Sequence, residues 1–145
     1  MQKMININKG FTLIEILIVI TIIGVLASVV VPRLMDRPDQ ARQTKVKQDI
    51  RVIESALDLY RLDNFVYPTS QQGLEALMTK PSSPPIPTNW GGPYLKRLPA
   101  DPWGNKYIYA NPGQHSTVDI FSYGSDQLQG GENSATDIGN WTLGR

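Results

Sequence analysis

Between Phe11 and Val31 the chain runs for twenty-one residues with Glu15 as its only charge. At about 1.5 Å per residue a helix of that length reaches roughly 31 Å, the thickness of the hydrocarbon layer of a bilayer. The pattern predicts a membrane helix over residues 11–32. Pro32 removes an N–H and crowds the carbonyl four residues back, so the helix is expected to kink or loosen between Gly24 and Pro32. Thr21, Gly24 and Ser28, with Ala27 alongside, form a small-residue stripe where helices can approach closely. Over residues 33–64 the period stays helical but becomes one-sided, with Val46, Ile50, Ile53, Leu57 and Tyr60 at steps of four and three. Twelve charges between Asp36 and Asp63 divide into six basic and six acidic, which marks the opposite face as solvated. The apolar stripe needs a cover, and the downstream strands supply it better than a coiled-coil seam.

Thr69-Ser70-Gln71-Gln72 has the capping-box pattern and predicts a short helix carrying Leu74, Leu77 and Met78 on one side, stopped by Pro81. Pro81–Pro87 holds four prolines in seven residues, so it reads as an extended surface loop. Asp101-Pro102-Trp103-Gly104 suits a type I turn. Lys106–Tyr109 and Val118–Tyr123 alternate and are rich in β-formers, with Asn111-Pro112-Gly113 turning between them. The fold class is therefore α+β: a long N-terminal helix, its first half membrane-spanning, packed on a small antiparallel sheet of two or three strands.

A net charge of +1 gives no electrostatic case for nucleic acid. The chain has no cysteine, so a small domain outside the cytosol must be stapled by something other than a disulfide. There is no GxSxG elbow, P-loop or HExxH spacing, and the single histidine, His115, sits in a turn-like segment, so the inventory points away from an enzyme.

Glu15 has two readings on its chemistry: a shallow carboxylate that snorkels to the headgroups, or a functional group waiting for a cationic partner. Lys9-Gly10-Phe11-Thr12-Leu13-Ile14-Glu15 resembles the leader and mature N-terminus of type IV pilins and type II secretion pseudopilins. That resemblance implies cleavage after Gly10 by a prepilin peptidase, methylation of the new amino group on Phe11, and Glu15 as the assembly carboxylate. The segment Gly92-Pro93-Tyr94-Leu95, the Asp101–Gly104 turn and a loop ending in Asp137-Ile138-Gly139-Asn140-Trp141 are similar to the major pseudopilins of type II secretion systems, the general secretion pathway protein G family.

The chain then divides into a cleaved leader (1–10), a membrane and assembly helix (11–32), the amphipathic half of the same helix (33–64) and a periplasmic globular part (65–145). The implied function is a structural subunit of a pseudopilus that drives folded proteins through an outer-membrane channel. Its implied partners are further copies of itself, minor pseudopilins, an inner-membrane assembly platform with its ATPase, and the peptidase. A type IV pilin for adhesion, motility or DNA uptake is the alternative. Lysines and arginines are more numerous after the span than before it, so the orientation, with the globular part in the periplasm, rests on the resemblance.

The acidic loop from Tyr123 to Asp137 completes the reading. On spacing alone a solvated loop is the plainer interpretation, and the segment lacks the acid spacing of an EF-hand. The resemblance implies calcium, held by the side chains of Asp126 and Asp137 and by backbone oxygens of Tyr123, Leu128 and Ala135, with Ser134 as the alternative to Ala135. Where many relatives have glycine after the aspartate, this chain has Gln127, a residue less at ease with positive φ.

Overall fold

The computed structural model describes residues 10–144, with the backbone alone described for residues 29–37. One helix, α1, runs Leu13–Asn64. It continues through Pro32 and Pro38, so the expected loosening before Pro32 is not a break: one lost hydrogen bond is small against the rest of a 52-residue helix. The chain forms two compact units, Met1–Pro38 and Asp39–Arg145.

In the first unit every described side chain from Leu13 to Ser28 is exposed. The Thr21 hydroxyl donates to the Leu17 carbonyl at 2.7 Å and the Ser28 hydroxyl to Val25 at 2.7 Å, so the polar atoms of the small-residue stripe are satisfied within their own helix. Among the described residues no helix is long and apolar enough to cross a membrane. The expected span over 11–32 extends past Ser28 into side chains that lie outside the described residues. The leader residues 1–9 lie outside them as well.

In the second unit the predicted stripe is the core. Val46, Ile50, Ile53, Leu57 and Tyr60 are all buried and meet Leu74, Leu77, Tyr107, Val118, Ile120 and Ile138. The sheet has three antiparallel strands in the order β1 (Ile108–Ala110), β2 (Asp119–Ser122) and β3 (Ile138–Gly139). The register pairs Tyr109 with Ile120 and Ser122 with Ile138. Ile120 and Ile138 thus join the helix stripe without disulfide help.

The capping box forms as the sequence predicts: the Thr69 N–H donates to Gln72 Oε1 at 3.0 Å and the Gln72 N–H to Thr69 Oγ1 at 3.1 Å. The helix beyond it is shorter than expected, a single 3-10 turn over Leu74–Leu77 that ends before Pro81 is reached. Its stop is tertiary. The Leu77 carbonyl accepts the amides of Tyr94 and Leu95, at 2.8 and 3.1 Å, and so is lost to further helix. The Gln72 side-chain amide donates to the carbonyls of Ser83 and Pro85, each at 2.9 Å, which anchors the proline-rich loop.

Two buried carboxylates fasten the turns. Asp101 accepts the amides of Trp103 and Asn105 and the hydroxyl of Ser122, the last at 2.7 Å. The Asp101–Gly104 turn closes through the Gly104 amide at 3.0 Å, as expected. Asp119 accepts the amides of Gln114, His115 and Ser116 at 2.7–3.0 Å. Burial alone would raise its pKa, but these donors outweigh burial and hold the carboxyl below its ordinary range. His115 lies beside Asp119, with Nδ1 at 3.1 Å, and its ring stacks on Trp141 at 3.9 Å.

Candidate assembly end and cation loop

At the N-terminal end, Gly10 and Phe11 precede the helix and Phe11 is 85 % exposed. Thr12 is the N-cap of α1. Its N–H and its hydroxyl donate to Glu15 Oε2 at 2.7 and 2.8 Å, and its oxygen accepts the Glu15 N–H at 3.3 Å. This is a second capping box, threonine and glutamate three residues apart. Its signature is present in the sequence at Thr12 and Glu15. Both Thr12 bonds fall on Oε2. Among the described residues Oε1 carries no hydrogen bond, which leaves it for a further donor while the helix stays capped.

The loop from Tyr123 to Asp137 is held by tight backbone contacts. Gly124 has φ +73°, and a Cβ there would lie 2.7 Å from the Ser134 carbonyl oxygen. The Ser125 amide donates to that same oxygen at 2.9 Å. Gly131, at φ +95°, stands equally close to Ala135, 2.5 Å from its carbonyl oxygen to the place of a Cβ. Gln43 on α1 donates its amide to the Asn133 carbonyl at 2.8 Å, tying the loop to the helix. Gln127, the departure from the glycine of relatives, adopts φ +59° all the same, and its side-chain amide donates to the Gly124 carbonyl at 2.6 Å.

The expected ligands are placed as follows. Asp126 Oδ1 accepts the Leu128 amide at 3.1 Å, and Leu128 itself is exposed. Asp137 Oδ2 accepts the Gly130 amide at 2.8 Å. Ala135 closes the 3-10 turn Asn133–Ala135, and Tyr123 stacks edge-on against Phe121 at 5.2 Å. The described residues hold no group of three or more His, Cys, Asp or Glu side chains placed to bind a metal. Asp126 and Asp137 are two carboxylates, so a cation here would need carbonyls or water for its remaining ligands. Asp137 Oδ1 is buried and has no hydrogen-bond partner. A buried anionic oxygen without a donor is costly, and a cation is the group that would satisfy it. The residues present fit the ion.

Residues 33–141 match the sequence profile of the family described as Type II secretion system (T2SS), protein G, and residues 5–31 match the Prokaryotic N-terminal methylation motif. The chain belongs to the type II secretion system protein G family.

Relatives in the same family are similar along nearly their whole length. The type II secretion system core protein G of Pseudomonas aeruginosa is 56 % identical over 135 residues, covering 92 % of this chain and 95 % of its own. The protein of that name from Vibrio cholerae is 52 % identical, covering 94 % and 93 %. The crystal structure of the major pseudopilin from the type 2 secretion system of enterohaemorrhagic Escherichia coli superposes with a TM-score of 0.69 at 51 % identity, covering 77 % of this chain and 92 % of that one. Membership makes the chain a pseudopilus subunit of type II secretion and fits its pilin-like architecture. The methylation-motif match covers Gly10, Phe11 and Glu15 together.

Proposed function

We propose that the chain is the major structural subunit of a type II secretion pseudopilus, and that it works by polymerising rather than by catalysis. The observation that carries this reading is the uncovered helix. From Leu13 to Leu26 the large apolar side chains are half exposed or more, with no cover from the other described residues. Such a surface is stable only in lipid or against other apolar helices. Before assembly it lies in the inner membrane, with the Asp39–Arg145 unit in the periplasm. In the filament it packs against copies of itself, where Gly24 and its small neighbours permit close approach.

Assembly starts with processing. Cleavage after Gly10 leaves an ammonium on Phe11, which is then methylated. Glu15 of the adjacent copy neutralises that ammonium through Oε1, while Oε2 remains on Thr12. Two charges that pair in an apolar setting offset each other's desolvation, whereas either alone does not. Because apolar helices exchange lipid for one another with little hydrophobic gain, this pair and close packing bias the equilibrium. The assembly platform with its ATPase supplies the work, minor pseudopilins complete the filament, and its growth pushes folded proteins through the outer-membrane channel.

Calcium belongs to the C-terminal loop. Asp126 and Asp137, with carbonyl oxygens of Tyr123, Leu128 and Ala135, are the residues that would hold it. The ion would supply the positive charge that Asp137 Oδ1 lacks.

The test is deletion of the chain followed by assays of exoprotein release and of surface piliation. Loss of release with piliation intact is expected. Loss of piliation or DNA uptake with release intact would make the chain a type IV pilin instead.

A further inference from the structure

Residues 39–45 of α1 precede the core of the second unit. Among them no side chain is buried, and Val46 is the first that is. Their polar side chains bond within the helix: Arg42 to Asp39 at 2.9 Å, the Thr44 hydroxyl to the Gln40 carbonyl at 2.9 Å and Lys45 to Asp49 at 2.6 Å. Gln43 is the exception. It is half-buried, and its side-chain amide donates to the Asn133 carbonyl at 2.8 Å, 90 residues further on. Among the described residues this is the one hydrogen bond from 39–45 to another element.

From the loop's side the same bond stands alone. The other hydrogen bonds of residues 125–136 close on the loop itself: the Ser125 amide on Ser134, the Gln127 side chain on Gly124, the Leu128 amide on Asp126 and the Gly130 amide on Asp137. Asn133 opens the turn Asn133–Ala135, and its carbonyl also accepts the Thr136 amide at 3.3 Å. Gln43 thus grips the turn that sets Ala135 and Asp137, two of the residues expected at the cation. Without a cation, the buried and unpartnered Asp137 Oδ1 favours opening of the loop, and opening carries the Asn133 carbonyl away from Gln43. Helix formation does not itself call for glutamine here, since other good helix formers serve as well.

We propose that Gln43 is a positioning residue for the cation loop, coupling the loop's occupancy by calcium to the order of α1 over residues 39–45. The coupling rests on the calcium reading above and adds to it a route from the loop into the helix. Such coupling is reciprocal: if the ion steadies the Gln43 bond, that bond favours the ion by the same factor. One neutral hydrogen bond sets the factor at about two- to tenfold.

Amide hydrogen exchange of the full chain in detergent, with calcium and with chelator, tests it. In the unsubstituted chain calcium should slow exchange in residues 125–136 and, by about two- to tenfold, in residues 39–45. Gln43→Met keeps the length and helix propensity of the side chain but not its donor. That variant should keep the slowing in the loop, lose it in residues 39–45, and weaken calcium binding in titration calorimetry by the factor lost from the helix. Thr44→Ala, next to it and bonded only within the helix, should behave as the unsubstituted chain. Slowing in residues 39–45 that survives Gln43→Met, an unchanged calcium affinity, or a melting temperature lowered equally with and without calcium would overturn the coupling and leave the ion in place. Exchange in residues 125–136 of the unsubstituted chain that is indifferent to calcium would remove the ion and the coupling together.

Discussion

Ile18, on the first half of α1, keeps 52 % of its surface exposed, while Ile53, on the second half, keeps none. The two residues have the same side chain and the same helical backbone. What differs is the pattern around them. Around Ile18 apolar residues lie on all sides of the helix, with Glu15 and Thr21 the only polar neighbours, so no face is set apart for a cover within the chain, and the surface is left for lipid or another copy. Near Ile53 charges occupy the far face and a one-sided stripe meets the sheet and the Leu74–Leu77 turn. One helix thus holds two kinds of information: an intermolecular half that gains its partners on assembly, and an intramolecular half that organises a fold.

The largest effect should come from the one charge in the intermolecular half. Glu15→Ala is expected to leave membrane insertion, cleavage after Gly10 and the melting of the Asp39–Arg145 unit unchanged, but to abolish sedimentable filaments. Normal filament yield from this variant would end the assembly role of Glu15. A lowered melting temperature would instead show that the two halves are not separable in the way their burial implies. Ile53→Ala should behave in the opposite way. Loss of a buried isoleucine side chain costs about 2–5 kcal/mol, a large part of the stability of a unit this size. Denaturant unfolding of the full chain in detergent measures it. Ile18→Ala serves as the control and should leave that unfolding curve in place.

The same division explains what the sequence disclosed. The stripe from Val46 to Tyr60 and the Thr69–Gln72 capping box are local patterns with fixed spacing, and both are found where spacing puts them. The sheet was legible as two or three strands, of which two could be located; β3 is two residues, Ile138–Gly139, too short for an alternating pattern to register. The Asp119 clamp could not be foreseen, because its partners are backbone amides that any residue would supply. The Thr12 cap could have been, from its threonine and glutamate. Of the candidate cation loop, Asp126 and Asp137 were reached through family likeness, and the unpartnered oxygen of Asp137 depends on burial that no spacing encodes.

Calcium tests whether the intramolecular half has its staple in that loop. An ion that binds only the folded state stabilises by about 2.7 kcal/mol at a hundredfold excess over its dissociation constant. Melting of the full chain in detergent should shift upward with calcium and downward with chelator, and Asp137→Ala should remove the shift. A wild-type transition indifferent to both additions would dismiss the ion. Ile18→Ala should retain the whole shift, since the ligands lie in the other unit.

The smallest effect expected is a gain, and it refines the account of the loop. Gln127 occupies φ +59°, where glycine is at ease and a side chain is strained, but its amide donates to the Gly124 carbonyl at 2.6 Å. Gln127→Gly relieves the strain, removes that hydrogen bond and makes the unfolded chain more flexible. A neutral hydrogen bond is worth about 0.5–1.5 kcal/mol net, and a residue held in a sparsely populated region costs about 1–3 kcal/mol. The strain relief should exceed the loss by a few tenths of a kcal/mol, seen as a small rise in melting temperature without calcium. With calcium bound the loop is already fixed, and the rise should persist if Gln127 only tolerates its conformation. A fall in melting temperature that appears only with calcium would instead show the Gln127 amide holding the Gly124 backbone in place for the ligands beside it.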